Sequence, residues 1–569
     1  MRFITGILIM LVFSFSALWS PKKTSAGEST KWDTFLNNFI QTYFVLHPEV
    51  AIDAGRHEFD GKLPDWSTEG LSRQGRWLHA EHDTASTFDE ASLDAHRRFE
   101  REYLRAVITK ELFWLESAEW PYKNPQYYSS ALDPGIYISR EYAPLATRMR
   151  AYIAFAKALP AAVEQLRKNL RTPLPRPYVE RGATMFGGLA SFFETDVPRV
   201  FASIKDPQLQ EEFNGANRRA AEALNEMKAW FEKNRATATN AFALGEGHFL
   251  EMLRATERVD ISLEDLEKVG RQDLERNLAE LREACSHYAS GKTIPECIEL
   301  EQKRKPRGSP VEGARQQLKD LKSFIIEKDL VTIPSNAEAR VAEAPSYRRW
   351  NFAYINIPGP YEKGLPSTYY IAPPDPNWTK EEQEAYLPGE KDLLFTSVHE
   401  VWPGHFLHYL HANRVQSKFA QIFPGYAFSE GWAHYAEEMM WEVGLGAGDP
   451  ETHIGQLLNA LLRNVRFLSA IGLHTGKMTV EESEKMFREV AFQDPGNARQ
   501  QAARGTFDPA YLNYTLGKLM IRKLRDDWSA SRGGRKAWRE FHDKFLSFGG
   551  PPIPLVRKEM LGVEAGSLF

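Results

Sequence analysis

Cysteine is almost absent from the chain: Cys285 and Cys297 are the two in 569 residues. No cysteine stands near the amino terminus, which argues against lipid anchoring of that end. Neither cysteine looks catalytic, since nothing nearby suggests an activating base. So close a pair in an exported chain is a disulfide candidate, with two reduced, buried thiols as the alternative. Closing that short loop would contribute roughly 3 kcal/mol in the chain-entropy account.

An excess of one charge is missing too. The 71 basic and 76 acidic residues leave a formal charge of −5, and nothing in that balance points to nucleic acid or an anionic membrane as partner. Past the amino-terminal segment, no stretch is long and apolar enough to cross a bilayer. There is no Gly-x-Ser-x-Gly elbow of a serine hydrolase and no glycine loop for phosphate. Nor is there a repeat of fixed period or a low-complexity tract.

What is present begins with an export signal. Arg2 precedes an apolar run from Phe3 to Trp19, and Thr24, Ser25 and Ala26 offer a cleavage site before Gly27. Residues 1–26 are therefore expected to be a signal peptide. The mature protein is expected to be periplasmic or secreted, without a stable membrane span. Lys22 and Lys23 separate the apolar run from the cleavage site and leave an uncleaved amino-terminal anchor open.

Thereafter the pattern is mainly α. Phe99, Leu104, Val107 and Leu112 line one face of a helix expected over 94–119. Residues 121–142 read as an irregular connection. Helices are expected over 144–170, 206–234 and 311–328, and Ser262 with Asp265 reads as a capping box opening another. After Leu330 the texture changes. Val331–Pro334, Phe352–Ile357 and Ser367–Ile371 are β-rich and are expected to form a small sheet just before the chain's most informative motif. Tyr369, in the last of these runs, is a candidate substrate contact. Residues 27–330 read as a helical amino-terminal region and 331–569 as a catalytic region, one unit overall. Helices return over 391–402, 405–416, 428–443, 451–473, 479–491 and 511–530.

The motif is His399-Glu400-Val401-Trp402-Pro403-Gly404-His405, followed by Ser429-Glu430-Gly431-Trp432-Ala433-His434 and, further on, Glu437 and Glu438. Imidazoles and carboxylates of this kind are the ligand set of a catalytic zinc site, three protein ligands with one position left open. The spacing is awkward. Six residues of regular helix turn about 240°, which leaves the rings of His399 and His405 on different faces. Pro403 and Gly404 lie between them, however, and that pair can break the helix and bring His405 back. Glu400 projects to another side and is the candidate general base. Glu430 is the best third ligand, and Glu437 or Glu438 could hold a ligating imidazole from behind. His408, His411 and His434 remain alternative ligands.

These two stretches resemble the DUF885 family, predicted metallohydrolases grouped with zincin-like peptidases. The likeness extends from about Asp33 to the carboxyl terminus and is most specific over residues 350–525. The family pairs His-Glu-x-x-Pro-Gly-His with Glu-Gly-Trp-Ala. The resemblance implies a large helical zincin-like fold, Zn2+ on His399, His405 and Glu430, and Glu400 as base. Two further segments depart from the family pattern. Ala470 stands where an Asp is usual before Gly472-Leu473-His474. Ala510-Tyr511 replaces Gly-Gln between Pro509 and Tyr514. Tyr514 and His474 are candidates to stabilise an oxyanion. Arg504 and Tyr511 are candidates to contact substrate, Arg504 by clasping a carboxylate as a carboxypeptidase would.

The expectation is an exported zinc-dependent hydrolase, a peptidase acting on short peptides in a channel between helical lobes. A hydrolase of another small amide or ester, or a non-catalytic envelope binding protein, is the alternative. An intact Glu400 favours an enzyme, because ligation alone does not need it.

Overall fold

Helix starts are written into the sequence as Ser, Thr and Asp. In the computed structural model, which describes residues 26–345, 349, 352–562 and 567–569, the side chains of Asp94, Asp206, Ser262 and Asp449 each accept a hydrogen bond from a backbone N–H in the first turn of the following helix. Such caps contribute about 1 kcal/mol each. The Thr293 and Ser309 caps are completed into boxes by Glu296 and Glu312. The expected signal peptide lies outside the described residues, apart from Ala26, which opens the first helix.

The chain is mainly α with one small sheet. In the amino-terminal half, Leu145–Asn169, Arg176–Phe201 and Pro207–Asn234 are long helices. They bury an aromatic cluster in which Tyr152 lies 5.7 Å from both Phe193 and Phe213. Residues 121–142, expected to be irregular, wind into short helical pieces such as Gly135–Ser139.

The described apolar core divides into two clusters. One draws on residues between Trp32 and Phe231, joined by Phe419 and Phe423. The other runs from Phe249 to Met560, with Phe113 and Ala118. The helices Leu263–Tyr288 and Pro310–Glu327 therefore pack with the carboxyl-terminal cluster, although sequence order groups them with the amino-terminal region. Cys285 and Cys297 are bonded, with Cα atoms 5.8 Å apart, and tie the first of these helices to the next, Ile294–Gln302.

The sheet has the order β1(Arg340–Glu343), β3(Thr368–Ile371), β2(Ala353–Asn356), with β1 parallel and β2 antiparallel to β3. The expected strand at Val331–Pro334 does not form. The Thr332 amide and hydroxyl donate to Asp543, and its carbonyl accepts from His411, so no ladder partner is needed there. β2 is an edge strand, and all four of its residues are half-buried.

His57 ties the segment between β2 and β3 to the amino-terminal half. Its Nδ1 lies 3.1 Å from Asp60 and its Nε2 3.2 Å from Glu362, while Tyr142 stacks on the ring at 3.6 Å. Burial works against the charged ring, but the hydrogen bonds to Asp60 and Glu362 win and raise its pKa to about 9. A folded-state value above the unfolded value of about 6.5 means stability that is fully present below pH ~6.5 and lost as pH rises through the folded value. The melting temperature of the protein should exceed that of His57→Gln at about pH 6, and the gap should close by about pH 10. A gap that persists unchanged at the alkaline end would show that His57 acts by packing alone.

Candidate metal centre

Six helices carry the site: α1(Glu390–Glu400), α2(His405–Ala412), α3(Tyr426–Glu442), α4(Pro450–His474), α5(Pro495–Phe507) and α6(Asn513–Ala530). The helix over the motif is broken. α1 ends at Glu400, the Trp402–Pro403 peptide is cis, and α2 starts at His405. The Gly404 amide donates back to the Val398 carbonyl at 2.9 Å. That return is so tight that a Cβ on Gly404 would sit 1.8 Å from the His399 carbonyl oxygen. Trp432 of the second stretch fastens the loop by donating its indole N–H to the Pro403 carbonyl at 2.8 Å. Gly431 lets α3 lie directly on α6, where an added Cβ would meet the Gly517 Cα at 2.5 Å.

With the helix broken, His399, His405 and Glu430 converge, their ligating atoms all within 4.8 Å of one another. Glu430 Oε2 lies 3.3 Å from His399 Nε2 and 3.4 Å from His405 Nε2. Ligand bonds of about 2.0–2.1 Å at the corners of a tetrahedron put neighbouring ligand atoms about 3.3 Å apart, the spacing seen between Glu430 and each histidine. Glu430 Oε2 is buried and accepts no hydrogen bond. Electron-pair donors brought this close repel unless a proton or a cation sits among them. The residues present thus fit a zinc ion.

Glu437 sets the polarity of His399. Its Oε1 accepts from His399 Nδ1 at 2.7 Å and pairs with Arg463 at 3.1 Å. Its Oε2 accepts from His434 Nδ1 at 3.2 Å. Burial pushes the Glu437 carboxyl up, but Arg463 and the two imidazoles outweigh it and hold the group ionised, well below the usual carboxylate range. With the proton on Nδ1, the His399 lone pair is on Nε2 and faces Glu430.

The centre opens on a cleft of about 1330 Å³. Glu400, Tyr514, Arg504 and the whole of strand β2 line it. Tyr514 is nearly parallel to His399, ring centres 6.2 Å apart, and burial raises its phenol pKa, so it keeps a proton to donate. Arg504 is committed: it bonds Asp508 at 2.9 Å and the Tyr426 hydroxyl at 3.0 Å.

Other candidates are placed elsewhere. His474 is buried away from the cleft lining; its Nε2 donates to the Gly505 carbonyl at 2.7 Å and its Nδ1 accepts from the Leu244 amide at 3.4 Å. Burial lowers its pKa to about 4, so it is a neutral brace between segments and not an oxyanion donor. Tyr511 is fully buried, donates to Ser469 and does not reach substrate space. Tyr369 points into the core because its place in β3 faces inward; Tyr354, opposite Tyr370 on β2, lines the cleft instead. His408 and His411 bond the carbonyls of Gly549 and Thr332, and His434 turns to Glu437, so none joins the cluster. Glu438 belongs to a buried ion network with Lys518, Arg276 and Arg522. Arg463 had no assigned role, although its position four residues after Asn459, which it also bonds, places both on one face of α4.

The chain belongs to the DUF885 family, bacterial proteins of unknown function, whose family profile matches residues 48–560. Its fold is similar to that of a candidate lipoprotein of unknown function from Shewanella oneidensis, with 23% identity, 93% of this chain and 99% of that chain covered, and a TM-score of 0.78. It is similar too to a candidate lipoprotein from Colwellia psychrerythraea, at 16% identity, 94% and 99% coverage and a TM-score of 0.80. No curated protein matches the chain.

Two substitutions test the geometry. Gly404→Ala should fold less stably and bind zinc much more weakly, because the new methyl collides with the His399 carbonyl; chelator competition measures this, and unchanged affinity would mean the tight return is dispensable. Glu437→Gln should weaken zinc binding about 10–100-fold by the same assay, the usual loss when a group orienting a ligand is removed.

Proposed function

We propose that the protein is a zinc-dependent hydrolase of short peptides that acts in the cell envelope or outside the cell. The observation that carries this reading is the convergence of His399, His405 and Glu430 at a cleft that also holds the carboxylate of Glu400. A zinc ion held there would supply carbonyl polarisation and water activation at neutral pH. Glu400 takes the proton of the attacking water and returns it to the departing amine. Tyr514 donates its phenolic proton in a hydrogen bond to the carbonyl oxygen as charge builds there.

Strand β2 supports a peptide over another amide. Among the described residues it is the outermost strand of the sheet and it lines the cleft, so an extended peptide can lie alongside it with its scissile bond beside the cluster. The cleft volume suits a few residues rather than a folded protein. The Cys285–Cys297 bond supports an oxidising compartment. The lipoprotein description of the Shewanella and Colwellia structures also favours the envelope, although here both cysteines are spent in the disulfide.

Glu400→Gln should retain zinc at wild-type stoichiometry and cleave a peptide library about 10²–10⁴-fold more slowly. Unchanged turnover would rule out the proton role of Glu400, and loss of zinc would make it a ligand instead.

A further inference from the structure

We propose that Arg466 anchors the C-terminal carboxylate of the substrate, so that the cleft takes peptides by their free carboxyl end. The inference rests on the peptidase reading above and names its substrate class. Among the described residues, five arginines line the cleft. Arg140 pairs with Glu362 at 2.9 Å, Arg349 with Glu343 at 2.8 Å, Arg463 with Glu437 at 3.1 Å and Arg504 with Asp508 at 2.9 Å.

Arg466 differs. It is only 8% exposed, yet among the described residues no carboxylate lies within ion-pair reach. Its Nε donates to the neutral Gln501 side chain at 2.8 Å, and its guanidinium sits over the Tyr514 ring at 5.0 Å. Arg504 stands over the same ring at 6.0 Å, which brings a charge of like sign close by. A buried cation without a counter-ion is costly, and the fork of its terminal nitrogens matches a carboxylate. A bound anion resolves both facts.

The position fits a terminal carboxylate. Tyr514, the ring under Arg466, is the ring beside His399. Arg463 and Arg466 are one turn apart on α4, and Arg463 props the Glu437 that orients His399. Three residues of helix rise about 4.5 Å, close to the reach of a single residue at about 3.8 Å between Cα atoms. A carboxylate on Arg466 would thus belong to the residue just beyond the scissile bond. Gln501, brought by α5, fixes the guanidinium plane.

The experiment uses three forms of one amino-blocked tripeptide: the free acid, its C-terminal amide, and an amide whose last residue is Glu. With zinc-loaded protein, the free acid should be cleaved with kcat/KM about 10–100-fold above both amides, the range of a charged hydrogen-bonded contact. Calorimetry with metal-free protein should show the same order of binding, and Arg466→Gln should abolish that preference while Arg466→Lys keeps part of it. Equal binding and cleavage of free acid and plain amide would overturn the anchor while leaving the hydrolase standing. Parity of the free acid with the Glu amide would overturn the terminal assignment in favour of a side-chain acid. Selective binding of the free acid without cleavage of any form would support the anchor and sink the hydrolase. The wild-type arms need no variant, so a failure of Arg466→Gln to fold leaves the test intact.

Discussion

The site depends on one interruption. A continuous helix through the first motif would carry His399 and His405 to different faces, so the break between Glu400 and His405 is what lets the two rings converge. Each unusual residue nearby serves that break. Pro403 cannot continue the helical ladder, Gly404 fits where no side chain can, and Trp432 pins the loop from the neighbouring helix. The second motif is coupled to the first in a literal sense: the helix that carries Glu430 also supplies the bond that holds the loop. Gly431 seats that helix on α6, whose first turn carries Tyr514.

Behind the break lies a second constraint, the placing of protons. Glu437 is fully buried and fully bonded, with two imidazoles and a guanidinium around it. A buried carboxylate survives as an ion only with such company. The cost of burying it is met by Arg463 from α4, so three helices fix the direction of one lone pair. The nearby ion network of Glu438, Lys518 and Asp273 uses the same device to join α3 and α6, away from the cluster.

Much of this was legible in the sequence. Helix starts follow from cap residues and apolar spacing, both local properties, and the expected helices of the carboxyl-terminal half lie within a few residues of the observed ones. The convergence of His399, His405 and Glu430 was legible because the proline–glycine pair announces the break. What failed was decided by neighbours distant in sequence. His474 and Tyr511 sit in motif-like segments, but their partners, Leu244 with Gly505 and Ser469, turn them to structural work. The run at Val331 has strand composition, yet Asp543 and His411 satisfy its polar groups. Helix α5 was missed although Asp494 and Pro495 mark its start. The isolation of Arg466 is invisible in one dimension, because it consists in the absence of a carboxylate nearby among the described residues.

The central claim is that these three side chains hold a metal ion, and diffraction tests it most directly. Crystals of protein supplied with zinc, measured on either side of the zinc absorption edge, should give one strong anomalous peak about 2.0–2.2 Å from His399 Nε2, His405 Nε2 and Glu430 Oε2. A map without a peak there, or with zinc bound only elsewhere, would contradict the account.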